Sequence, residues 1–91
     1  MNKTELINEI AAGAEITKAD AARALDATIE AIIEAVANGE KVSLVGFGTF
    51  LSADRKATTG RNPKTGAPIQ IAAATLPKFK AGKSFKDRVN K

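Results

Sequence analysis

Residues 55–71 read Arg55-Lys56-Ala57-Thr58-Thr59-Gly60-Arg61-Asn62-Pro63-Lys64-Thr65-Gly66-Ala67-Pro68-Ile69-Gln70-Ile71, and the reading of this stretch decides the fold. It is polar and basic, and it lies between two runs able to pair as strands. Thr49-Phe50-Leu51-Ser52-Ala53 precedes it, and Ile69-Gln70-Ile71-Ala72-Ala73-Ala74-Thr75 closes it. The spacing predicts a long hairpin. From Arg55 to Pro63, at about 3.3 Å per residue, the arm reaches roughly 25 Å. A two-stranded ribbon that long has too little apolar surface to be stable by itself, so it should move until a ligand holds it. Arg55, Lys56, Arg61 and Lys64 give it a charge suited to phosphates and to a minor groove. At the tip, Asn62-Pro63 sits between Gly60 and Gly66. Asn-Pro commonly starts a turn. On a basic arm with no core to pack, however, the proline ring reads as a rigid apolar wedge able to enter a base step.

Upstream of the arm the apolar spacing is helical. Asn2 can cap a first helix, with Glu5 three residues on, and Leu6, Ile7, Ile10, Ala11 and Ala14 fall on one face. Thr17 can cap a second helix, with Asp20 in its first turn. Ala21, Leu25, Thr28, Ile29, Ile32, Ile33 and Val36 then form a wide stripe, which ends at Asn38-Gly39. At about 1.5 Å per residue this helix is roughly 30 Å long. Two helices cannot cover so wide a stripe, which calls for a second copy. After Gly39 the period changes to two. Lys41–Val45 alternates as a strand, Gly46-Phe47-Gly48 makes a tight turn, and Pro77 and Gly82 punctuate the segment before a short helix over 83–89. The order is ααβββα in one domain, 1–91. A helical dimerisation base spans 1–40, a sheet with its arm (about 54–74) spans 41–82, and the last helix lies in 83–91.

The charge is segregated. Residues 1–40 hold three basic and eight acidic side chains, whereas 41–91 hold eleven basic and only Asp54 and Asp87 as acids. A basic half joined to an acidic one is the electrostatic footprint of a polyanion partner. Lys78, Lys80, Lys83, Lys86, Arg88 and Lys91 extend it to the C-terminus, with Lys83 and Lys86 opposite Phe85 and Val89 on the last helix.

Other chemistries find little support. There is no His, Cys, Tyr or Trp, so the usual general bases at neutral pH and thiol nucleophiles are missing and no enzyme is expected. Asp26, Glu30 and Glu34 read as a solvated acidic helix face rather than a metal site, and no glycine-rich segment has P-loop spacing. No cofactor is expected. Phe47, Phe50, Phe79 and Phe85 read as core aromatics, with Phe47 a candidate dimer contact. The lack of cysteine, of a run of about 20 apolar residues and of a leader-like apolar region predicts a soluble cytoplasmic protein.

Gly46-Phe47-Gly48-Thr49-Phe50, Arg55, Thr58 and Gly60-Arg61-Asn62-Pro63-Lys64-Thr65-Gly66 together resemble the HU/IHF family of bacterial histone-like proteins. Met1-Asn2-Lys3-Thr4-Glu5-Leu6-Ile7 and Ala81-Gly82-Lys83-Ser84-Phe85-Lys86 extend the resemblance over the whole chain. It implies an α+β intertwined dimer, a helical base under a β-saddle with two β-ribbon arms that wrap double-stranded DNA. The partner chain is a copy or a paralogue. The resemblance further implies that Pro63 intercalates, that Arg61 and Asn62 lie in the minor groove, and that Lys83 and Lys86 touch flanking phosphates. Arg55, Lys56, Thr58, Lys64, Lys80 and Lys3 complete the expected DNA-binding set, and Lys3 is expected to pair with Asp26 and to exchange that pair for phosphate. Ala53 and Thr58 stand where relatives frequently carry a basic residue, which makes this arm less charged. Ala72-Ala73-Ala74-Thr75 offers no side chain long enough to read base edges. This favours sequence-tolerant, HU-like, nucleoid-associated binding, with a preference for bent, nicked or mismatched DNA, over a site-selective IHF-like factor.

Overall fold

The computed structural model describes Met1–Lys91. The chain divides into two compact units, Met1–Glu34 and Ala35–Lys91.

The first unit carries α1 (Lys3–Ala14) and most of α2 (Lys18–Ala37). Both starts follow from their caps. The Asn2 side chain accepts from the Glu5 N–H at 2.9 Å, and the Thr17 hydroxyl accepts from the Asp20 N–H at 3.1 Å. α1 stops at Glu15, which takes the left-handed conformation (φ 58°) although it carries a side chain. Lys3 and Asp26 form an ion pair of 2.7 Å between the two helices. The only buried apolar residues are Ala11 and Ala21, at 7% and 0% exposure. Around them Ile7, Ile10, Leu25 and Ile32 are half-buried, whereas Ile29 and Ile33 remain 42% and 55% exposed.

In the second unit α2 ends as its sequence indicates. Gly39 takes φ 83° and its N–H reaches the Val36 carbonyl at 3.0 Å. Five strands follow: β1 (Val42–Leu44), β2 (Gly48–Arg55), β3 (Thr58–Arg61), β4 (Pro68–Ile71) and β5 (Ala74–Ala81), then α3 (Lys83–Val89). β1, β2 and β5 make one antiparallel sheet in that order, and β3 pairs with β4 in another. The expected three strands thus become five because two of them are interrupted near the foot of the arm. With each interrupted strand counted once, the expected ααβββα order stands.

Pro77 requires a correction. The sequence predicts a break there, after the arm, yet Pro77 lies inside β5 opposite Ser52. β5 pairs on one side only, and an edge strand tolerates a proline whose nitrogen faces away from the ladder.

The four phenylalanines pack as one cluster. Phe50 and Phe79 are rung partners with ring centroids 4.8 Å apart, and Phe47 stacks on Phe85 at 5.4 Å with 13° between the planes. The turn that brings Phe47 there is closed by its N–H on the Leu44 carbonyl at 3.0 Å, with Gly46 at φ 82°. Close approach fixes Gly48, where an added Cβ would lie 2.5 Å from the Lys80 carbonyl and 2.6 Å from the Phe79 ring.

Candidate nucleic-acid interface

The ribbon is what the second unit presents to a ligand. β2 and β5 pair from Gly48↔Ala81 to Arg55↔Ala74, and β3 and β4 continue from Thr58↔Ile71 to Arg61↔Pro68. Because side chains alternate between faces, rung partners share a face and so do every second pair. One face therefore gathers Lys80 (opposite Thr49), Lys78 (opposite Leu51), Arg55, Thr59 with Gln70, and Arg61. The row follows the twist of the ribbon for about 40 Å at roughly 3.3 Å per residue. The other face carries Phe50 and Phe79 in the body, Asp54 with Thr75 near the foot of the arm, and Thr58, Gly60, Ile69 and Ile71 beyond it. Ile71 lies over Gly60, where a Cβ would meet its Cδ1 at 3.1 Å.

The expected site residues therefore separate. Arg55 and Arg61 stand on the cationic face together with Lys80. Thr58 falls on the reverse face, and Lys56 in the unpaired stretch between β2 and β3. Asn62, Pro63 and Lys64 occupy the tip. There the Asn62 N–H donates to the Ala67 carbonyl at 2.8 Å, and the Gly66 N–H, at φ 72°, to the Asn62 carbonyl at 2.7 Å. The Asn62 Oδ1 accepts from the Lys64 N–H at 2.8 Å and the Thr65 hydroxyl from the Ala67 N–H at 3.2 Å. The loop thus satisfies its own backbone, Pro63 stays exposed, and the Nδ2 donors of Asn62 remain uncommitted.

Lys83 and Lys86 lie exposed on α3, and Lys86 and Arg88 fall in its last turn, favoured by the helix dipole. Lys3, on α1, is held by Asp26. Sequence reasoning missed Lys78 and Gln70 as members of the cationic face. The signal was present, since Lys78 and Lys80 are two apart, but ending the strand at Pro77 concealed it. No group of His, Cys, Asp and Glu is placed to hold a metal, and no helix is long and apolar enough to cross a membrane.

A ribbon of this kind, cationic along one face and closed by an exposed proline turn, defines a class of nucleic-acid binder, and comparison with known proteins gives the family. Residues 1–90 match the model of the bacterial DNA-binding protein family, and the chain belongs to that family. Over 90 residues it is 62% identical to DNA-binding protein HU-beta of Pseudomonas aeruginosa and 59% identical to that of Escherichia coli, covering 99% of this chain and all of each relative. The fold is that of an Anabaena HU–DNA cocrystal structure, with 52% identity, a TM-score of 0.91, and 98% and 97% of the two chains covered. HU from Thermotoga maritima is similar at 38% identity and a TM-score of 0.69 over 98% of each chain. The relatives are named as DNA-binding proteins and not as enzymes, in line with a sequence that carries no His or Cys.

Proposed function

We propose that this chain is a sequence-tolerant architectural DNA-binding protein that acts as a dimer and bends duplex DNA in the bacterial nucleoid. The observation that carries the reading is the ribbon. A cationic row formed by Lys80, Lys78, Arg55 and Arg61 leads to an exposed Pro63 at the end of an arm with no core of its own. Minor-groove binders of this design set cations against the phosphates and insert an apolar side chain between base steps. HU proteins are themselves among the standard examples of that design, so the generalisation describes the family and adds no independent support. In this reading Arg61 and the Asn62 amide lie in the minor groove, whose acceptors are nearly the same for every sequence. Lys56, Thr58 and Lys64 meet the walls of the groove, and Lys80, Lys83, Lys86 and Lys3 take flanking phosphates.

Dimerisation is supported by what the chain leaves uncovered. No large side chain is fully buried, and Ile29, Ile33, Leu44, Val45, Phe47, Phe79 and Val89 are between 41% and 102% exposed. A second copy is the simplest cover for so much apolar surface on so short a chain.

The test is binding and bending measured together, on intact and nicked duplexes of fixed and random sequence with a fluorophore at each end. The expected result is similar affinity for fixed and random sequence, tighter binding to the nicked duplex, and end-to-end approach on binding. A strong preference for one sequence points instead to a site-selective factor, and binding without end approach removes the bending role.

A further inference from the structure

The ribbon is interrupted once, at the foot of the arm. β2 ends at Arg55 and β3 begins at Thr58, while β4 ends at Ile71 and β5 begins at Ala74. Lys56-Ala57 and Ala72-Ala73 thus leave two rungs unpaired. The pairs on either side, Arg55↔Ala74 and Thr58↔Ile71, keep the same register, so no residue has been inserted and the gap is not a bulge. The ladder opens and then resumes. Its composition explains the opening, because three alanines and a lysine have little strand preference and little to pack.

Side chains close the gap where the backbone does not. Arg55 Nη2 donates to the Ala72 carbonyl at 3.0 Å, reaching past its own rung partner Ala74 into the unpaired stretch. One rung below, on the reverse face, the Thr75 hydroxyl donates to Asp54 Oδ1 at 3.1 Å and secures the end of the body sheet. The remaining side-chain hydrogen bonds of the arm lie at its tip.

We propose that Arg55 and the Asp54–Thr75 pair are positioning residues that latch the arm to the body across a hinge at Lys56-Ala57 and Ala72-Ala73. We further propose that Arg55 couples this latch to the capture of phosphate. The guanidinium has five N–H donors in a planar fork, and the Ala72 carbonyl takes one of them. The free edge can take a phosphate oxygen at the same time. A phosphate held there restrains the guanidinium and through it Ala72, so charge capture at the foot of the arm also sets the arm's direction. A lysine supplies the same charge but no fork able to hold carbonyl and phosphate in one plane. The coupling rests on the nucleic-acid reading above, whereas the latch does not.

The experiment is amide nitrogen relaxation on the full chain, free and with a short intact duplex, for wild type, Arg55→Ala, Arg55→Lys and Thr75→Val. In the free protein, order parameters of residues 58–71 are expected to fall in both Arg55 variants, from near the rigid value of about 0.85 toward 0.6, and by less in Thr75→Val. Phe50 and Phe79 amides should not change, which shows that the body is intact. On duplex, Arg55→Lys should keep the wild-type salt dependence while its arm stays less ordered than wild type. Arg55→Ala should lower the salt slope by about 0.9. Equal arm order parameters in wild type and all three variants overturn the latch. An Arg55→Lys arm that orders on duplex as the wild type does overturns the coupling. A chain that binds no duplex overturns the nucleic-acid reading and the coupling with it, while the free-protein data still decide the latch.

Discussion

At the scale of single residues, charge and shape divide the work of the arm tip. Arg61 supplies attraction along the cationic face, and Pro63 supplies a rigid apolar ring. Unstacking one base step costs a few kcal/mol, about what a bent duplex returns in added contacts. Pro63→Ala keeps the charge and shrinks the wedge. Affinity for intact duplex should fall modestly, while the bend and the preference for nicked DNA, read by energy transfer and competition, should fall much more. Arg61→Ala should weaken binding to both kinds of DNA by similar factors. If Pro63→Ala bends DNA as sharply as wild type, the proline is only a turn residue. Glycine positions give a second prediction. Gly48→Ala forces a Cβ to within 2.5 Å of the Lys80 carbonyl, and overpacking of this kind costs about 1–3 kcal/mol or more. Gly13, on α1 with nothing within 4 Å, should gain up to about 0.5–1 kcal/mol from the same change. Denaturant midpoints check both signs.

At the scale of elements, the link between α1 and α2 is an exposed ion pair. Lys3 and Asp26 approach to 2.7 Å, but their side chains are 61% and 60% exposed. Such pairs contribute only about 0–1 kcal/mol. The pair is therefore weak enough for phosphate to displace, and breaking it leaves the fold nearly as stable. Asp26→Ala should move the thermal midpoint by only a few degrees, yet free Lys3 for DNA and lengthen the site occupied per dimer at low salt. A site size equal to wild type in a stoichiometric titration would remove Lys3 from the interface. Most of the elements were legible because their signals are local. Asn2, Thr17 and Asn38-Gly39 mark helix ends through hydrogen bonds and backbone angles set within a few residues. The course of β5 through Pro77 was not, because whether a strand tolerates proline depends on its having no neighbour on one side.

At the scale of the whole molecule, the chain lacks a core of its own. Two alanines are its only buried apolar residues, and the phenylalanine cluster leaves Phe47 and Phe79 at 43% and 41% exposure. If a second copy completes that core, folding and association are one event. The thermal midpoint should then rise with protein concentration. A constant midpoint together with a monomeric mass in ultracentrifugation would overturn the dimer. Binding should also be strongly salt-dependent. With roughly 6–10 phosphates neutralised per dimer, affinity should drop by about 10³–10⁵ between 50 and 200 mM salt, and binding that survives unchanged does not come from this cationic face.

What the sequence determined by itself was everything carried by period, local chemistry and charge. This covers three helices with their ends, antiparallel strands in the order ααβββα, a basic arm with Asn62-Pro63 at its tip, and the segregation of positive charge beyond Lys41. Only the tertiary structure decided which charges share a face. Strand alternation across paired rungs sets Lys78, Lys80, Arg55 and Arg61 in one row and turns Thr58 to the reverse side. It alone revealed the opening at Lys56-Ala57 and Ala72-Ala73 and the side chains that bridge it. The reason is physical. A helix end is fixed by neighbours in sequence, whereas a face, an edge and a gap in a ladder exist only once a second strand lies alongside.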